Sequence, residues 1–289
     1  MKKSKILGLL IILITILSTG CFKRDNLEGI EIVTTVYPLE FVTNYLYGEH
    51  SIINSIYPDG IDTTTYNLSE KQLNDYSKKK LFIYNRITDD KDIALKFLEK
   101  NPKILIIDAT YGMEITYGEE ELWLNPSNLL MMTQNIKNGL QEYMTNSYLE
   151  KEINAKYDEI KVTLSELDAE FKLTAENASR KTIIVNSDSL KCLEKYGFNI
   201  ISLDDTTTPV TEKTINDVIS KINNGEVKHL FILENSTNSE ALNQIVNQTK
   251  VETYTYRRLD SITDSERDEK DNYFTIMNNN IELLRNELY

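Results

Sequence analysis

YLEKEINAKYDEIKVTLSELDAEFKLTAENA, from Tyr148 to Ala178, is the stretch whose period decides the fold. Its apolar residues are Leu149, Ile153, Tyr157, Ile160, Leu164, Leu167 and Phe171. They recur at steps of three and four, the period of one helix face. Glu150, Lys151, Glu152, Lys156, Asp158, Glu159, Lys161, Glu166 and Asp168 fill the opposite, solvated face, and no Gly or Pro interrupts the run. At 1.5 Å per residue such a helix is a rod of roughly 40 Å, longer than a small domain is wide. A coiled-coil hairpin or an ordinary surface helix would carry the same pattern. The flanks favour a rigid spacer, because four strand-like runs precede the helix and four follow it.

Upstream, the β-branched and aromatic runs Ile30–Val36, Ile52–Tyr57, Leu81–Tyr84 and Ile104–Ile107 read as strands. Helices are predicted at Leu39–Tyr47 behind Pro38, at Ser69–Lys78 capped by Ser69, and at Asp92–Lys100. A further helix starts at Asn125 or Ser127 and runs to Met144. Downstream, strands are predicted at Lys181–Val185, Asn199–Leu203, His229–Leu233 and Val251–Tyr256. The helices there are Ser189–Tyr196, Thr211–Asn223, Ser239–Gln248 and Asn272–Leu288. Strand and helix alternate, and the strands are continuous apolar runs, so each sheet should be parallel with both faces covered. The expectation is an α/β protein of two lobes, each a mainly parallel four-stranded sheet flanked by helices, joined by one long rigid helix. The lobes are residues 30–147 and 179–289, the linker helix is 148–178, and 22–29 is a polar tether. Loops after the strands of the two lobes should face each other, where open α/β sheets bind ligands.

The 289 residues are 40% hydrophobic and 27% charged, enough for a packed core, with a formal charge of −13. That charge argues against a nucleic-acid partner, whose phosphates call for Lys and Arg. Lys2, Lys3 and Lys5 precede an apolar run, Ile6–Leu17, and then Ser18-Thr19-Gly20-Cys21. Basic, apolar, then small residues is the layout of a secretory signal. Cys directly after small residues resembles the bacterial lipobox, although Ser18 stands where Leu is commoner. Residues 1–21 are therefore read as a lipoprotein signal ending in Cys21, which is lipidated and holds the protein on the outer face of the cytoplasmic membrane. Cys192 is then without a disulfide partner, and its predicted helical position suits a small buried hydrophobe.

Several segments resemble the zinc- and manganese-binding lipoproteins that serve bacterial metal ABC importers. Val33-Thr34-Thr35-Val36-Tyr37-Pro38 is similar to that family's first strand. Tyr57-Pro58-Asp59-Gly60-Ile61-Asp62 resembles its turn after the second strand, and Leu122-Trp123-Leu124-Asn125-Pro126 its "VWLDP" segment. Tyr273 to Ile281 resembles the start of its last helix. The resemblance implies a solute-binding protein, a monomer, that carries a divalent metal (Mn or Zn) as transported ligand between its lobes. It implies a permease and its ATPase as partners and no catalytic cofactor.

The departures lie at the ligand positions the resemblance implies. Thr64 and Glu121 stand where the family has histidines. The third ligand falls near Asp188 or in the loop that holds Asp204 and Asp205, and the fourth matches Asp260. The two histidines, His50 and His229, lie at strand ends away from the expected cleft. A set of oxygen donors suits Mn²⁺, Ca²⁺ or Mg²⁺ better than Zn²⁺, which prefers N and S. Clustered carboxylates without a cation repel one another and ask for one, metallic or organic. Glu234, at a strand end, joins the cleft or holds a helix N-terminus. Tyr37, Tyr66, Tyr111, Tyr117 and Trp123 near the cleft mouth are packing residues or a face for an organic cation.

The function read from the sequence is a lipid-anchored, extracytoplasmic solute-binding protein of an ABC importer, for a divalent metal ion. The alternative is a degenerate member that acts as a surface adhesin or scaffold, or that binds a non-metal cation. No nucleophile elbow, metalloprotease helix motif or phosphate-binding Gly loop is present, so the chain is not read as an enzyme.

Overall fold

The computed structural model describes residues 24–289; Cys21 and the signal stretch before it lie outside the described residues. The first lobe's sheet contains β1 (Glu31–Thr34), β2 (Ile52–Ser55), β3 (Leu81–Tyr84) and β4 (Leu105–Asp108). They lie in the order β2-β1-β3-β4, all parallel. The second lobe repeats the plan with β5 (Thr182–Val185), β6 (Asn199–Ser202), β7 (His229–Leu233) and β8 (Glu252–Tyr256) in the order β6-β5-β7-β8, again parallel. In each sheet the chain reverses its winding between the first strand and its inner neighbour. The crevice at their carboxyl ends is the topological switch point.

The helices of the first lobe are α1 (Tyr37–Tyr47), α2 (Glu70–Tyr76), α3 (Asp90–Lys100), α4 (Glu121–Leu124) and α5 (Pro126–Tyr143). The long helix α6 (Ser147–Asn177) follows, then a 3₁₀ helix (Asp188–Tyr196), α7 (Glu212–Asn223), α8 (Glu240–Thr249), α9 (Asp264–Asp268) and α10 (Tyr273–Leu288). Most starts are capped as the sequence signals. Ser69 forms a capping box with Gln72, and Asn125 accepts from the Ser127 amide at 3.1 Å.

Three differences have local causes. Glu121–Leu124, where the sequence predicts no helix, is a helical turn. The segment Asp188–Tyr196 is 3₁₀ rather than α, because Leu190, Leu193 and Tyr196 recur every third residue, which is the 3₁₀ period. The short α9 stands on a Thr263–Glu266 capping box.

Alternation along the strands sorts the core into three parts. Ile32, Leu81, Ile83 and Ile107 face one way, while Val33, Phe82 and Tyr84 face the other against Phe97 and Leu73. In the second lobe Ile183 and Val185 face inward, and Ile184 faces a separate cluster on α7 and α8. The inward faces of both sheets belong to one continuous core, and α6 is its spine. Leu149, Ile153, Ile160, Leu164, Leu167 and Phe171 are buried along it, with Tyr157 half-buried. The helix packs on α1 and α5 of the first lobe and on α10 and the 3₁₀ helix of the second.

Asn146 caps α6 by accepting from the Tyr148 amide at 2.9 Å. Asp25, in the segment read as a tether, is docked at the same place. Its carboxylate accepts from the amides of Leu27, Thr145 and Asn146 at 3.0, 2.7 and 2.9 Å. Burial opposes its charge, but these bonds prevail and hold its carboxyl below the ordinary range. Among the described residues, no helix is long and apolar enough to cross a membrane.

Candidate functional site

Two segments meet where the lobes face each other. From the first lobe comes the turn after β2. Gly60, with φ +70°, supplies the left-handed conformation, and its amide donates to the Ile262 carbonyl at 2.7 Å. From the second lobe comes the strand exit Arg257–Ile262. Asn280 of α10 is buried and grips this exit from both sides, accepting from the Arg257 amide at 2.9 Å and donating to its carbonyl at 3.0 Å. Leu259 has φ +65°, a left-handed conformation that costs a non-glycine residue about 1–2 kcal/mol. That bend lets Arg258 and Asp260 both reach the interlobe space.

Arg258 is the centre of the site. Its side chain is only 6% exposed. Its Nη2 lies 2.7 Å from Glu120 Oε1 and 3.1 Å from Glu119 Oε1, and its Nε lies 3.8 Å from Asp260 Oδ2. The Nε proton is buried without a hydrogen-bond partner. The backbone is fixed as well. Trp123 Nε1 donates to the Arg258 carbonyl at 2.7 Å, and Glu234 accepts from the Arg258 amide at 3.2 Å while pairing with Arg257. Glu234, left open between two roles by the sequence, therefore positions the cleft segment.

Glu119 and Glu120 stand just before α4, so the first lobe contributes two carboxylates and the second one. Glu120 also accepts from Ser189 Oγ of the second lobe at 2.6 Å. Burial and then the charge of Glu120 push the Glu119 carboxyl up to about 7, with Arg258 pulling the other way. Three acidic side chains surround one guanidinium, so acids outnumber bases at the site. Beside it, at the carboxyl ends of β1 and β3, is a cavity of 370 Å³ lined by Tyr57, Tyr66, Asn85, Asp90, Glu119 and Trp123. Asp90 is buried there and accepts from Tyr57 Oη at 3.2 Å; burial raises its carboxyl above the usual range.

The six residues nominated from the sequence are dispersed. Asp260, 1% exposed, is in the cluster and accepts from Thr63 Oγ1 and from the Ser261 amide at 3.1 Å. Thr64 lines the cavity but is exposed, and its hydroxyl donates to Asp62 at 2.6 Å. Glu121 is turned toward its own loop and accepts from the Thr116 and Tyr117 amides at 2.9 and 3.1 Å. Asp188 pairs with Lys191 at 2.7 Å, and its amide donates to Asp204 at 3.0 Å. Asp204 also accepts from the Thr206 amide and hydroxyl at 2.9 and 2.6 Å. Burial opposes its charge, yet these bonds hold its carboxyl below the ordinary range. Asp205 is exposed and lines a separate 280 Å³ cavity with Asp204 and Asn186.

Among the described residues, no group of three or more His, Cys, Asp or Glu side chains is spaced to hold a metal ion. His50 bonds Glu152 of α6 at 2.9 Å, and His229 bonds Glu287 at 2.9 Å and stacks on Tyr254, so both are engaged away from the cleft. Cys192 is buried, and burial pushes its thiol up to about 12, the character of an inert core residue. Sequence reasoning chose Glu121, the last of three consecutive acids Glu119-Glu120-Glu121, and it passed over Arg258. The available signal was a basic residue two places before a nominated ligand aspartate.

A second interlobe fastening lies at the edge of the cleft. Arg267 of α9 pairs through Nη2 with Glu40 of α1 at 2.9 Å and with Asp59 of the β2 turn at 2.9 Å. Its guanidinium sits over the Tyr37 ring, 5.8 Å from the centroid.

The family model described as "ZnuA: Zinc-uptake complex component A periplasmic" matches residues 32–287. The manganese ABC transporter substrate-binding lipoprotein PsaA of Streptococcus pneumoniae is 26% identical over 287 residues, covering 92% of this chain and 91% of that protein. The zinc-binding protein AdcA of Streptococcus pyogenes is 22% identical over 300 residues, covering 91% of this chain. The match spans only 57% of AdcA, little over half its length. Among solved structures, the Zn(II)-bound ZnuA-like domain of Streptococcus pneumoniae AdcA has the same fold, with TM-score 0.73 and 18% identity over 90% of this chain and 99% of that one. So does the laminin-binding protein Lmb of Streptococcus agalactiae, described as bifunctional with adhesin and metal transporting activity, with TM-score 0.70 and 17% identity over 90% of this chain and 100% of that one. A match across nearly the whole chain, on two parallel lobes joined by a long helix, places the protein in the ZnuA family of zinc and manganese solute-binding proteins of ABC importers, a family of metal-transport components and not of enzymes.

Proposed function

We propose that this chain is the lipid-anchored, extracytoplasmic solute-binding protein of an ABC importer, and that its cargo, a divalent metal ion, is held in the cleft between the lobes. It passes the ion as a monomer to a permease driven by an ATPase. The observation that carries this reading is that Glu119 and Glu120 of one lobe and Asp260 of the other all approach one guanidinium, Arg258, although with that side chain between them they are not spaced to hold a metal ion. Carboxylate oxygens from both sides of a cleft suit a hard divalent cation, Mn²⁺ above Zn²⁺.

The reading keeps Asp260 as a ligand, with Thr64 at the cavity rim, and adds Glu119 and Glu120. Glu121, Asp188, Asp204 and Asp205 are farther candidates. For Glu121, Asp188 and Asp204, present hydrogen bonds or ion pairs would have to open first. The guanidinium inside the acid cluster favours a second reading, a surface protein that keeps the fold and has given up the metal.

Calorimetric titration with Mn²⁺ and Zn²⁺, on protein purified without chelator, separates the two. Glu119→Gln and Asp260→Asn should each weaken binding about tenfold or more, the usual scale for loss of a metal-site group. Glu150→Gln on α6 should change nothing. Unchanged affinity in both cleft variants would remove the cation-cleft reading.

A further inference from the structure

The point where the acids of the two lobes meet already contains a cation. Arg258 Nη2 is within 2.7 and 3.1 Å of the Glu120 and Glu119 carboxylates, and its Nε is 3.8 Å from Asp260. Oxygen ligands close on Mn²⁺ or Zn²⁺ at about 2.0–2.2 Å, so a metal bound by these carboxylates needs the space the guanidinium fills. The side chain has no easy exit, being buried and held at its own backbone by Trp123, Glu234 and, through Arg257, Asn280. The pairs also cross the cleft. Arg258 belongs to the second lobe, Glu119 and Glu120 to the first, so the guanidinium fastens the lobes as a shared metal would.

We propose that Arg258 is a resident guanidinium of this cleft that a metal must displace, which lowers metal affinity and holds the lobes together when no metal is bound. The inference rests on the reading of the cleft as a cation site. The displacement cost is subtracted from whatever the carboxylates offer the metal. Charge-assisted contacts between a buried guanidinium nitrogen and carboxylates are among the stronger side-chain pairings, so the subtraction is large.

Arg258→Met tests this, since Met fills similar space without charge. In the full chain, calorimetry with Mn²⁺ and with Zn²⁺ should show affinity at least about tenfold higher than wild type, the scale on which metal-site groups act. Three carboxylates left without a counter-charge should destabilise the variant in chelator. Adding Mn²⁺ should restore its unfolding temperature, while wild type changes little. A folded Arg258→Met that binds metal no tighter than wild type would overturn the proposal. So would a variant that stays unfolded at millimolar metal, because the ion would then be unable to replace the guanidinium. If wild type binds metal tightly, Asp260→Asn weakens it and Arg258→Met binds no better, the arginine inference fails and the cargo reading stands. If neither protein binds metal and the carboxylate variants change nothing, both fail together.

Discussion

Replacing Arg267 by Met removes the second interlobe fastening and leaves Glu40 buried near Asp59 without its counter-charge. Breaking a fully buried pair by deleting one partner costs about 3–5 kcal/mol. The Arg267 side chain is 39% exposed, so water screens part of the pairing, and about 2 kcal/mol is expected at neutral pH. For a chain of this size, with an unfolding entropy of about 2.1 cal/mol/K per residue, that is a fall of about 3–4 °C in unfolding temperature.

The loss should depend on pH. Burial raises the Glu40 carboxyl above its ordinary range, and Arg267 restrains that rise. A carboxyl raised in the folded state lends stability below its unfolded pKa, and that stability is lost as pH climbs through the folded pKa. Without Arg267 the carboxyl rises further, so the variant's deficit grows from acid to neutral pH. Urea unfolding at about pH 4.5, near the unfolded carboxyl pKa, and at about pH 7.5, well above it, gives the comparison. The deficit should be clearly smaller at the lower pH. An equal deficit at both, or a loss under about 0.5 kcal/mol at neutral pH, would show that the fastening contributes no more than an ordinary surface pair.

Asn280→Ala should leave the Arg257 amide and carbonyl without partners and cost about 2–3 kcal/mol by chemical denaturation; a near-neutral result would mean that the strand exit is held by other contacts. Phe171→Ala, at a fully buried position of α6 stacked on Tyr196, should cost about 3–5 kcal/mol. Because the core it enters runs through both lobes, they should melt in one transition rather than two, read by calorimetry. Cys21→Ala should release the protein from membranes or leave the precursor unprocessed; mature-sized protein still in the membrane fraction would contradict lipidation.

Much of the fold was legible because its signals are short-range. The three-four spacing from Leu149 to Phe171 places one face of α6 in the core whatever that core contains. The apolar runs Leu81–Tyr84 and His229–Leu233 are strands at the bounds read from the sequence. Caps at Ser69, Asn125, Thr211 and Asn272 act on amides two or three residues away. The elements missed, α4 and α9, are too short to show a period.

The site was less legible because its partners are far apart in the chain. Glu119 and Arg258 are 139 residues apart, and Thr63 and Asp260 are 197 apart. The sequence by itself determined that three acids stand together at Glu119–Glu121 and that Asp260 follows β8. Only the tertiary structure decided that Glu119 and Glu120 face the cleft while Glu121 is turned to the amides of its own loop. Three consecutive carboxylates in a turn point in different directions, and the backbone around them sets which. It also took the left-handed bend at Leu259 and the docking of two lobes on one shared core to put a guanidinium where the sequence left room for a metal ion. Periodicity records which face of an element is buried, whereas the direction of a loop side chain depends on what the rest of the molecule brings against it.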